Sequence, residues 1–191
     1  MAQEGSLETL LSLRERIGGA LARLDRGLNQ YLWIQRRLQL CDVSSDLEFQ
    51  RHFNAFYRVR RNVEWRTPFF RLLEQSKATP IRFPDALRAI RRGTDRLEAS
   101  FASKLVATLD PGKPVIDKFV LSNFGLRLPG WGTAAREERV IEVYDSLCSQ
   151  YDRLLADPIG VRILDMFDRQ YPHSSVSPLK KVDLVLWQIR E

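Results

Sequence analysis

This chain has little of what the commonest site chemistries need. Its 191 residues include two cysteines, Cys41 and Cys148, and two histidines, His52 and His173. The cysteines form no Cys-x-x-Cys unit, which excludes a disulfide scaffold, and reduced thiols are expected. Neither histidine has a partner at metal-ligand spacing, so no metal site is expected. A P-loop, a glycine-rich dinucleotide fingerprint and a Ser/His/Asp set are all missing, and no cofactor is expected. No apolar run approaches the ~18–20 residues that cross a bilayer. The opening Met-Ala-Gln-Glu-Gly has neither the basic nor the apolar region of a secretory signal. These absences predict a cytoplasmic protein with no membrane partner.

Strand signals are missing too. Nowhere is the two-residue alternation of a half-buried strand the best reading, whereas helical spacing recurs throughout. Ser6 can cap a helix from Leu7, in which Leu10, Ile17, Leu24, Tyr31 and Leu38 recur every seven residues. Leu13, Leu21, Leu28 and Ile34 widen the stripe. Unbroken to Leu40 it would be about 50 Å long at ~1.5 Å per residue, so Gly18-Gly19 is expected to kink or break it. Such a stripe either packs on its own domain or pairs with its twin in a homo-oligomer. Asp46 caps a helix to about Arg61, Thr67-Pro68 opens the next, and Pro84 opens one ending at Gly93. A helix from Arg96 to Leu109 precedes the turn Asp110-Pro-Gly-Lys-Pro114, whose Pro-Gly order suits type II. Asp117 caps a short helix ending at Gly125. Thr133 caps a long helix to Ala156, Pro158 begins another, and Pro178 opens the last. The expectation is an all-α protein, a single compact domain of about eight helices. Residues 1–42 form a long N-terminal helix on or beside a helical core of residues 43–191.

With 44% hydrophobic and 28% charged residues, a real core is affordable and disorder is not indicated. The net charge of +6 is unevenly spread: residues 51–96 hold twelve basic and four acidic side chains. Most of the basic ones are arginines, whose planar fork suits phosphate. Arg58, Arg60, Arg61, Arg66, Arg88, Arg91 and Arg92 are candidate phosphate contacts, and otherwise they are solvated helix faces. Trp131, between Gly130 and Gly132, is the aromatic expected to be exposed and able to stack on a base.

Lys104 lies near the edge of the stripe formed by Leu97, Phe101, Leu105 and Thr108. A lysine shielded from water has a depressed pKa and becomes a usable nucleophile; otherwise it snorkels over the core. Asp117 follows the turn as a helix cap, a place that can also hold a carboxylate at a pocket's rim.

Ser103-Lys104-Leu-Val-Ala, followed by Lys113-Pro-Val-Ile-Asp117-Lys-Phe-Val120, resembles the core of the helix-hairpin-helix DNA glycosylases, and within them the 8-oxoguanine DNA glycosylases. It is also similar to a set of bacterial helical proteins with a Ser-Lys, then Pro-x-x-Asp, pattern. The resemblance covers residues 96–125. It implies a DNA-repair function in which the Lys104 amine attacks the deoxyribose C1′ and forms a Schiff base, while Asp117 stabilises positive charge on the sugar. The family's Gly-x-Gly hairpin falls just before the lysine, where this chain reads Phe101-Ala102-Ser103. Two functions stay open: a DNA glycosylase or lyase, or a non-enzymatic helical protein that binds nucleic acid or an acidic protein.

Overall fold

Apolar residues at helical spacing, without alternation, produce an all-α fold. The structure is a computed structural model that describes residues 15–189, and these hold ten helices and no strand. Helix α1 covers residues 15–22. It is followed by α2 (Asp25–Leu38), α3 (Leu47–Phe56), α4 (Val63–Gln75), α5 (Phe83–Thr94) and α6 (Ala99–Leu109). The remainder are α7 (Lys118–Asn123), α8 (Arg136–Ala156), α9 (Pro158–Gln170) and α10 (Pro178–Gln188). The expected start at Ser6 and Leu7, with Leu10 and Leu13, lies outside the described residues.

The N-terminal stripe is cut, but not at its glycines. Gly18 and Gly19 lie inside α1, and the helix ends at Arg23 and Leu24. There the Arg23 N–H bonds the Ala20 carbonyl at 3.1 Å and the Leu24 N–H bonds Leu21 at 3.0 Å. These i→i+3 bonds tighten the last turn and redirect the chain. Ile17, Leu21, Leu24, Leu28, Tyr31, Ile34 and Leu38 are all buried in the chain's own core. One hydrophobic cluster runs from Ile17 to Ile189, so residues before and after position 42 share it.

Two groups of helices build that core. α2 packs on α3, and α4, α5 and α6 follow one another; α10 gathers α7, α8 and α9, while α5 touches α8 across the middle. Close approaches fix these contacts. A Cβ on Gly93 of α5 would lie 3.2 Å from the Pro68 Cβ of α4. A Cβ on Gly160 would lie 1.7 Å from the Leu154 carbonyl oxygen, so the sharp turn from α8 into α9 admits glycine alone.

Several boundaries differ from the sequence expectation. Helix α4 starts earlier, because Asn62 caps it by accepting the Trp65 N–H at 3.2 Å. Pro68 is therefore interior, and the Thr67 hydroxyl donates to the Val63 carbonyl at 2.9 Å. Helix α5 continues through Gly93 to a left-handed Asp95 at φ 54°. Helix α8 begins at Arg136, and Thr133 closes the preceding loop by donating to the Gly130 carbonyl at 2.9 Å. Helix α3 stops at Phe56 because Arg58 turns left-handed at φ 53°.

Candidate functional site

The two groups of helices meet around a cavity of about 140 Å³, whose lining includes Arg58, Lys104, Asp117, Lys180, Asp183 and Trp187. A dry cavity of about 150 Å³ holds one benzene ring, so this one is sized for a single ring or sugar. The structure thus brings Lys104 and Asp117 to one space, although a proline-rich turn separates them in sequence.

Lys104 projects from α6, a helix buried on nearly every side. Its ammonium donates to the Tyr57 carbonyl at 3.1 Å and lies 4.8 Å from the Phe101 ring centroid. Burial pushes this amine down to about 8, while the Asp117 and Glu98 charges pull it upward. Near pH 8 about half of it is therefore the neutral, lone-pair-bearing form. Asp117 precedes α7, and its Oδ1 accepts the Phe119 N–H at 2.9 Å. As expected from sequence, it is a cap, and the same residue lines the cavity.

Two serines on α6 set the spacing. The Ser100 hydroxyl donates to the Ile116 carbonyl at 2.9 Å, and the Ser103 hydroxyl accepts the Ile116 N–H at 2.8 Å. Both polar groups of Ile116 are thus bonded to the helix that carries Lys104, which fixes the neighbouring Asp117 relative to it. The intervening turn closes through the Lys113 N–H and the Asp110 carbonyl at 3.0 Å. Gly112 has no positive φ, so the turn is not type II; the Asp110 carboxylate instead accepts the Gly112 N–H at 2.8 Å.

Sequence reasoning missed the second amine of this cavity. Lys180 of α10 is 1% exposed and donates to Asp183 Oδ2 at 2.7 Å, while Tyr151 donates to Asp183 Oδ1 at 2.8 Å. Asp183 is thus held by a lysine and a tyrosine. Burial alone would lower the Lys180 pKa, but the Asp183 charge outweighs it and the amine is held protonated. The signal was available: a lysine and an aspartate three apart, among Leu179, Val182, Leu184 and Val185, lie where a helix has no solvent face.

The candidate phosphate contacts divide into paired and unpaired groups. Arg88 and Arg91 both grip Glu137, at 2.8 and 3.1 Å, and Arg61 bonds Glu98 at 2.6 Å. The Arg66 Nε donates to the Asn62 carbonyl at 3.3 Å. Arg60 and Arg92 are exposed beside the start of α4, lining a cleft shared with Arg96. Trp131 is 84% exposed, with the Arg136 guanidinium 4.4 Å from its ring centroid. Trp65, Phe83 and Tyr57, other aromatics near the basic region, are buried in the core.

Among the described residues, no group of three or more His, Cys, Asp or Glu side chains could hold a metal ion. No helix among them is long and apolar enough to cross a membrane. Compared with protein-family models, curated proteins and solved structures, the chain matches none.

Proposed function

We propose that this protein binds DNA and acts as a base-excision glycosylase or lyase, with Lys104 as nucleophile and Asp117 as its acidic partner. The observation that carries the reading is a half-buried amine, lowered to about 8, in the same cavity as a carboxylate fixed by a helix cap. In this mechanism the Lys104 lone pair forms a bond to C1′ as the bond from C1′ to the base breaks, and the electron pair leaves with the base. Positive charge grows on the sugar in that transition state, and the nearby Asp117 carboxylate stabilises it electrostatically. The adduct nitrogen then loses a proton, and its lone pair forms the C1′=N bond of the Schiff base as the C1′–O4′ bond breaks; that electron pair goes to O4′, which takes up a proton. The exposed Arg58, Arg60 and Arg92 supply phosphate contacts, and Trp131 offers a face for stacking.

The test uses a duplex with one abasic site and borohydride trapping, which sidesteps the identity of the base. Wild type should yield a covalent protein–DNA band and Lys104→Gln should lose it. No band, or a band that survives the substitution, would leave a non-enzymatic binding protein as the better reading.

A further inference from the structure

Among the described residues, three non-glycine positions have positive φ: Arg58, Asp95 and Ala135. Arg58 is the one with a long charged side chain, and it is the one that lines the Lys104 cavity. Its backbone forms the left-handed stop of α3. The Val59 N–H reaches back to the Asn54 carbonyl at 2.9 Å, the long bond of a Schellman motif, which puts Arg58 where glycine is strongly preferred. A side chain in that slot carries a left-handed backbone strain that glycine does not.

The turn does two things at the cavity. It presents the Tyr57 carbonyl to the Lys104 ammonium at 3.1 Å, which glycine at position 58 would do as well. It also sends a guanidinium across the Trp187 ring, 5.4 Å from the centroid, which glycine would not. Arg58 is exposed and makes none of the ion pairs that occupy Arg61, Arg88 and Arg91. The guanidinium lies over an aromatic face beside the cavity, with no ion pair among the described residues engaging its donors.

We propose that Arg58 is the anion anchor of this cavity, holding a phosphate of the nucleotide whose sugar reaches Lys104. The inference rests on the DNA reading above and specifies it. An arginine is kept in a glycine slot because the phosphate beside the reacting sugar needs a bidentate donor there.

The experiment measures affinity for a duplex bearing one tetrahydrofuran abasic analogue across a salt series, together with the melting temperature of each protein. R58G should melt about 2–4 °C higher, as release of left-handed strain predicts for a chain of this size. It should bind about tenfold more weakly or worse, and its slope of log affinity against log salt should fall by about one, the signature of one lost phosphate contact. R58K should keep the wild-type slope and melting temperature, and R169A, at an exposed pair on α9, should keep the slope. An unchanged slope in R58G, or a lower melting temperature, overturns the anchor and leaves Arg58 as packing for Trp187. Wild type that fails to bind the duplex at low salt overturns the DNA reading and the anchor together.

Discussion

Lys104 and Lys180 line the same cavity, and burial acts on both in the same direction, against the charged form. What differs is the carboxylate. Asp183 is 2.7 Å from the Lys180 amine and restores its charge, whereas Lys104 bonds to a backbone carbonyl and feels Asp117 and Glu98 only through space. One amine is therefore locked as a cation, and the other is poised between its two forms. Environments that push two titratable groups apart are how a site keeps separate acid and base roles.

The comparison breaks most severely at Asp183. Replacing it with Asn keeps an acceptor for Tyr151 but leaves the Lys180 ammonium buried without a countercharge. Losing one partner of such a pair costs about 3–5 kcal/mol, and Asp183→Asn should lower the urea midpoint correspondingly. Adding Lys180→Met should recover much of the loss by removing the stranded charge. If Asp183→Asn alone is neutral, Lys180 has another partner and the account of its locked charge fails.

The proton balance of the two amines gives a second, smaller effect. Side-chain carbon resonances of the lysines should show Lys104 titrating near 8 and Lys180 unchanged to well above that pH. The sign for stability follows from the depressed folded value. Between about 8 and the ordinary 10.5, the unfolded chain binds a proton at position 104 that the folded chain does not. Wild type should therefore gain stability relative to Lys104→Met as pH rises through that window, with a constant penalty below it. A flat difference between pH 7 and 11 would show that Lys104 is solvated in the fold.

The contrast between these lysines also shows which parts of the molecule were legible in its sequence. Asp117 as a cap and the all-α class were readable because both are local: a carboxylate before a short apolar run, and helical spacing without alternation. Helix ends were less so. Arg58 stops α3 in a conformation its residue type does not announce, and Pro68 sits inside a helix because Asn62, upstream, won the cap. The joining of Lys104 to Asp117 was hidden for a different reason. It depends on Ser100 and Ser103 binding the Ile116 backbone, a tertiary use of hydroxyls that looks like ordinary helix polarity in sequence. Lys180 was missed because a lysine usually reports solvent, and only the all-round burial of α10 converts it into a core charge.

The gentlest probe concerns the arginines. Glu137 accepts from Arg88 and Arg91, and these hydrogen bonds hold its carboxyl below the ordinary carboxylate value. A depressed acid stabilises the fold above its unfolded pKa, and that contribution is lost as pH falls through the folded value. Both guanidinium groups are about half exposed, at 47% and 57%, so the contribution is at most about 1 kcal/mol after solvent screening. Glu137→Gln should therefore barely move the melting temperature at pH 7. Its informative effect is on DNA: freeing two guanidinium groups on the surface that carries Trp131 should raise duplex affinity and steepen its salt dependence. If affinity is unchanged, Arg88 and Arg91 serve to tie α5 to α8, and phosphate binding falls to Arg58 and the exposed arginines beside α4.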